Sequence, residues 1–177
     1  MARRRKRKLT SRGRALRWLT RHNGLTEQPY GANWDHRKDG IAAAIRRCGF
    51  RTPIPWCGAW AFNALHAAGV QHLGAWMASV WWIEAKARAK QACFRGWTRD
   101  PRKVLRGDLV VLFGTGKHVA VVRKVVFRRG RFVGVWTNEG NTSPGASGSQ
   151  ANGGGSFKRF RPASQVHGFA LVNYPNR

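Results

Sequence analysis

The periodicity of apolar residues changes at Pro101, and this change limits the possible folds more than any other feature of the chain. Before Pro101, apolar residues recur at the spacing of amphipathic helices. After it, β-branched and aromatic residues form short runs that are separated by glycine-bearing turns. Helices followed by strands, without regular alternation between them, indicate an α+β fold with an antiparallel sheet. The length of 177 residues favours a single domain.

Three helices are predicted before Pro101, covering residues 40–49, 57–69 and 76–91. The second follows the stretch TPIPW, whose two prolines exclude a helix there. About five strands are predicted after Pro101, covering residues 108–113, 118–127, 131–137, 156–160 and 167–174. The short RRG turn predicts a hairpin between the second and third strands. Residues 140–155 are rich in turn-forming residues, which predicts an exposed and mobile loop.

The chain is strongly basic, with 33 Lys and Arg against 7 Asp and Glu, and a net charge of +26. Such a surface attracts polyanions, whether nucleic acid, phospholipid headgroups or an anionic cell wall, and charge alone does not distinguish them. Ten of the basic residues lie in residues 1–24, which we interpret as a basic N-terminal arm. The arm is either a solvated tail or an electrostatic docking segment, and residues 25–177 form the domain itself.

Three cysteines, Cys48, Cys57 and Cys93, cannot pair completely, which favours reduced thiols in a cytosol. No apolar run approaches the ~20 residues of a membrane span. The N-terminal segment is basic throughout and lacks the apolar core of a secretory signal. We therefore expect a protein that is made in the cytoplasm without a signal peptide.

Cys57 lies at the predicted start of the second helix, where the helix dipole and unpaired N–H groups stabilise a thiolate. The position is therefore suited to a nucleophile, although a buried structural thiol is the alternative. Cys48 closes a helix and Cys93 lies near a helix end, so neither has this placement.

His118 follows the turn GTGK and begins a predicted strand, where it either points into a cleft or faces solvent. His167, which opens the last strand, is the main competitor for the role of general base. Glu139 closes the strand RFVGVWTN and could orient a histidine through its second ring nitrogen, or could simply be a turn residue before Gly140.

The order of these residues resembles that of the CHAP family, the cysteine, histidine-dependent amidohydrolases and peptidases, and in particular phage lysins. The pieces that carry the resemblance are PWCGAWAFNALHAAGV, GDLVVLF, KHVAVV and EGNTSPG, spread over residues 40–175. The resemblance implies a papain-like fold in which helices pack on the sheet. It also implies a peptidoglycan hydrolase that cleaves an amide bond of the stem peptide or cross-bridge.

In the roles that this resemblance implies, Cys57 is the nucleophile and His118 the general base. Glu139 orients His118, and Asn141 is an accessory or substitute orienter. The backbone N–H of Cys57 supplies part of the oxyanion hole. The sequence departs from the family at Pro55 and Trp56, because members often carry a polar side chain, commonly Gln, just before the cysteine.

No cofactor is expected, since GTGK lacks the spacing of a phosphate-binding loop and no zinc pattern is present. The expected partners are peptidoglycan and anionic wall polymers, with virion proteins as further partners of the basic arm. The protein would act at the bacterial wall as a free lysin or as a component carried in the virion. The alternative function is a basic virion structural or nucleic-acid-binding protein on an inactive hydrolase fold. Specific nucleic-acid recognition is not expected, because no recognised nucleic-acid fold is present.

Overall fold

Over residues 9–145 and 147–175, the computed structural model contains four α-helices and six β-strands. The helices are α1 (Ser11–Arg21), α2 (Ile41–Arg47), α3 (Cys57–Ala67) and α4 (Val80–Arg88). The strands are β1 (Phe94–Thr98), β2 (Leu109–Leu112), β3 (His118–Arg128), β4 (Arg131–Thr142), β5 (Gly155–Pro162) and β6 (Val166–Val172). All four α-helices precede the six strands, and every pairing between these strands is antiparallel, so the α+β class is confirmed.

The six strands form one sheet in the order β1-β6-β2-β3-β4-β5. The predicted hairpin joins β3 to β4 through Arg129 and Gly130, both of which have positive φ angles, as a two-residue hairpin turn requires. Leu112 at the end of β2 pairs with His118 at the start of β3.

The helices cover one face of the sheet. Val119 and Val121 of β3 belong to the main core with helical residues such as Ala15, Leu19 and Trp60. The alternate residues of the same strand, Ala120 and Val122, belong to a smaller cluster with Val110 and Phe169. The alternation follows from the two-residue period of a strand, so the sheet has an apolar layer on each face.

The prediction of one continuous helix over residues 76–91 is wrong. This segment is divided into a 3-10 helix, Ala75–Ala78, and α4. Ser79 separates them with an extended backbone, and its hydroxyl accepts the N–H of Trp82 at 3.5 Å as the N-cap of α4. Serine at an N-cap satisfies a helix-terminal donor, which explains why the chain restarts its helix there.

The structure also differs from the sequence prediction in the number of strands and in the loop expected over residues 140–155. The sheet has six strands over the described residues because Phe94–Thr98, which was not predicted, pairs with β6. Residues 140–155 are not an exposed loop throughout, since β4 continues to Thr142, which pairs with Gly155, and residues 140–143 are buried.

The segment assigned to the basic arm is in part folded. Ala15, Leu16 and Leu19 of α1 are buried in the main core, so α1 is an integral part of the packed domain. Residues 1–8, which hold six of the arm's basic residues, lie outside the described residues. No helix within the described ranges is both long enough and apolar enough to cross a membrane.

Candidate active site

Cys57 is the first residue of α3, directly after the N-cap residue Trp56. The indole N–H of Trp56 donates to Glu27 Oε1 at 2.7 Å, and both residues are buried. The other oxygen of Glu27 accepts the N–H of Gly31 at 2.8 Å. The residue before the thiol is therefore fixed by a buried hydrogen bond, which sets the direction in which α3 begins.

Two glycines allow the neighbouring elements to approach this helix start. A Cβ atom on Gly58 would lie 2.0 Å from the carbonyl oxygen of Met77, so the 3-10 helix packs directly on the backbone of α3. A Cβ atom on Gly140 would lie 2.5 Å from the ring of Trp60 and 2.6 Å from that of Trp56. The end of β4 consequently lies against the first turn of α3, next to Cys57.

His118 is fully buried at the start of β3. Its Nε2 atom lies 3.0 Å from Glu139 Oε2 and donates to it, because an ionised carboxylate only accepts hydrogen bonds. Its Nδ1 atom has no hydrogen-bond partner of normal geometry within the described part of the chain. The thiol of Cys57 interacts with the same imidazole, so Nδ1 is the ring nitrogen left for the sulfur.

Glu139 is held by four donors, which use all the strong acceptor positions of its two oxygens. Oε1 accepts from the Thr137 hydroxyl at 2.6 Å and from Arg161 Nε at 2.7 Å. Oε2 accepts from His118 Nε2 and from Arg161 Nη2 at 2.6 Å. The paired bonds from Arg161 form a fork that fixes both the position and the plane of the carboxylate.

Arg161 is itself 2% exposed and bonded in several directions. It donates to the Thr142 hydroxyl at 3.0 Å and to Gln150 Oε1 at 2.9 Å. Its guanidinium also lies 5.2 Å from the ring centre of Phe113. A buried guanidinium needs a paired anion and satisfied N–H groups, and both conditions are met here.

The pKa values of the three central groups move towards an ion pair. Burial alone would raise the pKa of the Cys57 thiol, but the hydrogen bond and charge of His118 outweigh burial and lower it. The N–H groups of Val119 and Gly58 act in the same direction. Burial opposes the charged form of His118 too, yet Cys57 and Glu139 raise its pKa.

Glu139 completes the charge balance. Burial disfavours its ionised form, but hydrogen bonds from Arg161 and His118 lower its pKa to about 2. These shifts favour a buried cluster of two anions, the Cys57 thiolate and Glu139, with two cations, His118 and Arg161. Equal numbers of opposite charges at hydrogen-bonding distance offset the cost of removing them from water.

The other cysteines and histidines have different surroundings. Burial raises the pKa values of Cys48 and Cys93 to about 12, so both stay as neutral thiols. All three cysteines are free of disulfide bonds. His167, the alternative base, lies 3.1 Å from both Glu84 Oε1 and the Thr115 hydroxyl. His167 therefore belongs to a separate polar cluster.

Asn141 is buried next to this site, with a positive φ of 60° at an irregularity in the pairing of β4 with β5. Its amide lies 2.9 Å from Asn152 Oδ1. The amide orientation that satisfies its neighbours donates to the Gly153 carbonyl at 2.8 Å and accepts the N–H of Trp56 at 3.3 Å. Asn141 thus ties the β4–β5 connection to the start of α3, whereas the bond to His118 Nε2 comes from Glu139.

The residues that sequence reasoning missed are Arg161 and Thr137. Thr137 precedes Glu139 by two positions on one strand and so lies on the same face, a relation that the sequence could have shown. Arg161 has no comparable local signal, because it stands in a strand with other basic residues and meets Glu139 only through strand pairing. The described residues contain no group of three or more His, Cys, Asp or Glu side chains able to hold a metal ion.

No family model, curated protein or solved structure matches this chain.

Proposed function

We propose that this protein is a cysteine hydrolase with a papain-like fold of the CHAP type. The observation that carries the proposal is the buried relay from Cys57 through His118 to Glu139. A nucleophilic thiol requires a lowered pKa, an adjacent base and a group that orients the base. Here the helix start and the imidazole favour the thiolate, and the bond to Glu139 leaves Nδ1 directed to the sulfur.

In the proposed reaction, the Cys57 thiolate attacks the carbonyl carbon of an amide bond and forms a tetrahedral intermediate. The protonated His118 then gives the Nδ1 proton to the leaving amine as the C–N bond breaks, which leaves a thioester on Cys57. Water, deprotonated by His118, attacks the thioester, and the carboxylate product leaves as the thiolate returns. Glu139 stays ionised throughout and stabilises the imidazolium.

The backbone N–H of Cys57 is the proposed donor to the oxyanion, because N–H groups in the first turn of a helix have no intrahelical acceptor. The residue before the cysteine does not help in this way, since the indole N–H of Trp56 is bonded to Glu27. Any second donor has to come from another part of the site.

The proposed substrate is peptidoglycan, cleaved at an amide bond of the stem peptide or the cross-bridge. Support comes from the order of the motifs around Cys57, His118 and Glu139, which resembles that of phage lysins, and from a net charge of +26 that favours an anionic wall. We further propose that the protein acts as a phage lysin or as a virion-associated lysin.

The test is mass spectrometry of the fragments released from purified peptidoglycan by the full-length protein and by Cys57→Ala. We expect new amine and carboxylate ends with the first protein and no release with the variant. Cys48→Ala is the matched control and should release the same fragments as the parent. Equal release by the parent and by Cys57→Ala would refute the thiol mechanism. No release by the parent would favour a binding protein on an inactive hydrolase fold.

A further inference from the structure

A strongly basic groove of about 790 Å³ runs between α1 and the sheet. Five arginines line it: Arg12, Arg17, Arg21, Arg106 and Arg123. Of these five arginines, only Arg12 forms an ion pair with a carboxylate of the described residues. Its Nη1 atom lies 3.0 Å from Asp108 Oδ1. The other four arginines consequently line one groove without an ion pair to any acidic side chain that the structure describes.

Arg123 shows the effect of this crowding. Its guanidinium donates to the Thr20 hydroxyl at 3.2 Å and to Asn138 Oδ1 at 2.8 Å, so it is held in place by neutral partners. Burial and the nearby charge of Arg106 lower its pKa, so this guanidinium is less stabilised here than in water. An anionic ligand would remove this repulsion.

A pair of exposed aromatic rings lies on the neighbouring strands. Trp136 of β4 and Phe160 of β5 are register partners with ring centres 5.4 Å apart, and their side chains are 38% and 40% exposed. Lys158 Nζ lies 4.8 Å from the centre of the Trp136 ring. Lys124 of β3 is the register partner of Trp136 on its other side. We call Trp136 and Phe160 the aromatic platform.

The groove and the aromatic platform lie on the same face of the sheet. Asn138, which holds Arg123, stands two positions after Trp136 on β4 and pairs with Lys158 of β5. Residues two apart on a strand share one face and lie about 7 Å from each other. Glu139, one position further, points to the opposite face, so this surface is separate from the candidate active site.

We propose that this surface binds single-stranded nucleic acid, with backbone phosphates in the arginine groove and bases stacked on the aromatic platform. Unpaired cations in a groove suit any polyanion, but exposed rings beside them suit a polymer that also carries flat bases. A duplex hides its base faces, whereas a single strand presents them. The binding relies on charge and stacking, so it carries little sequence preference and does not depend on the proposed hydrolase activity.

The test measures anisotropy of a fluorescein-labelled oligothymidylate with the full-length protein across a salt series, and competition by inorganic polyphosphate, which has charges but no bases. The platform variant is Trp136→Leu/Phe160→Leu, which keeps apolar side chains and the net charge. Its matched control is Trp81→Leu/Trp82→Leu, a second exposed aromatic pair with ring centres 4.7 Å apart. The groove variant is Arg17→Gln/Arg106→Gln, with Arg51→Gln/Arg99→Gln as its charge-matched control. Circular dichroism checks that each variant is folded.

The platform variant should weaken oligothymidylate binding at least about fivefold, the smallest effect expected for losing one stacked base, and leave polyphosphate binding unchanged. The groove variant should weaken binding of both polymers. It should also reduce the slope of log K against log salt by about 1.4, which corresponds to two lost phosphate contacts on a single strand. Unchanged oligothymidylate binding by the platform variant would overturn the proposal. Equal loss of both polymers by that variant would also overturn it, and would assign the surface to a polyanion without bases, such as a wall polymer.

Discussion

At the scale of single residues, the position of Cys57 explains why one of three buried thiols differs from the others. Cys57 has a helix start, an imidazole and two backbone N–H groups around its sulfur, whereas burial dominates at Cys48 and Cys93. Only a thiolate reacts readily with an alkylating agent. The contrast in pKa therefore converts directly into a contrast in reactivity.

Iodoacetamide should label Cys57 before Cys48 and Cys93 near neutral pH, as read by mass spectrometry of the digested protein. Cys57→Ser should keep the fold, because a helix start accepts serine, and should lose wall lysis. Labelling in denaturant provides the control in which the three thiols become equivalent. First labelling of Cys93, with lysis retained by Cys57→Ala, would contradict the proposed mechanism.

His118 and His167 provide a matched pair of histidines, each bonded to a buried glutamate at 3.0 and 3.1 Å respectively. Because only His118 contacts the thiol, His118→Ala should lower turnover by about 10²–10⁴-fold, the usual effect of losing an acid–base group. His167→Ala should have a far smaller effect. Release of soluble fragments from walls is the measurement, and loss confined to the His167 variant would reverse the assignment.

The ion pair of Glu139 and Arg161 makes the free energy of unfolding depend on pH in the acidic range. The pKa of Glu139 in the folded protein is about 2, below its ordinary value of 4.5. The ionised carboxylate therefore stabilises the fold above about pH 4.5, and this contribution, about 3 kcal/mol, is lost as the pH falls towards 2. Urea unfolding across this range should show the decrease.

Arg161→Met should lower the free energy of unfolding at neutral pH by about 3–5 kcal/mol, since it leaves a buried carboxylate without its main cation. Arg161→Lys should recover only part of this loss, because an ammonium cannot form the paired bonds of a guanidinium. The double variant Glu139→Gln/Arg161→Met removes both charges and should flatten the acid dependence. A double variant with the acid dependence of the parent would show that other groups cause it.

At the scale of secondary-structure elements, the sequence predicted α2, α3 and most of the sheet because their apolar periods are regular. It did not predict β1, whose five residues, Phe94–Thr98, include Arg and Gly and lack a clear alternation. The break at Ser79 was missed because apolar residues continue on both sides of it. These elements depend on capping and on strand pairing with β6, which are not visible in local periodicity.

The residues of the candidate site likewise divide into those that local sequence patterns indicate and those that depend on tertiary contacts. Cys57 and His118 could be selected from the sequence because each stands at the start of a regular element. Glu139 was selected as the end of a predicted strand, although β4 continues to Thr142. Arg161 could not be selected, since its burial arises from the pairing of β4 with β5 across 22 positions of chain separation from Glu139. The role of Asn141 depends similarly on its contact with Trp56 across the fold.

The contact between the 3-10 helix Ala75–Ala78 and α3 gives a prediction at this scale. Gly58→Ala would place a methyl group 2.0 Å from the Met77 carbonyl, so the two helices must separate. We expect a loss of about 1–3 kcal/mol in the free energy of unfolding and a lower turnover, because the first turn of α3 carries Cys57.

Gly13→Ala in the first turn of α1 is the matched control. Its new methyl group would meet the Thr10 hydroxyl at 3.2 Å and the Leu9 side chain at an ordinary contact distance of 3.5 Å, so stability should change by less than about 1 kcal/mol. Thermal denaturation of both variants and of the parent provides the comparison. Equal stability of Gly58→Ala and the parent would show that the 3-10 helix yields without cost.

At the scale of the whole molecule, the acidic residues are few and mostly committed to internal contacts. Glu27, Glu84, Asp108 and Glu139 are all buried, with partners on other elements or on the same helix. The surface is consequently almost purely cationic. Attachment to a polyanion should therefore involve the whole basic surface, with residues 1–8 adding six further positive charges.

Deletion of residues 1–8 should weaken sedimentation of the protein with purified walls and flatten the salt dependence of this binding. The reason is that the Debye length falls from about 10 Å at 0.1 M salt to about 3 Å at 1 M, so salt screens the attraction between the protein and the wall. With six fewer positive charges, the truncated protein has a smaller electrostatic contribution to binding that salt can screen. Hydrolysis of a small soluble muropeptide should stay nearly unchanged, because Cys57, His118 and Glu139 lie within the packed domain. A truncated protein that binds walls normally but cannot cleave the soluble peptide would show instead that residues 1–8 belong to the catalytic fold.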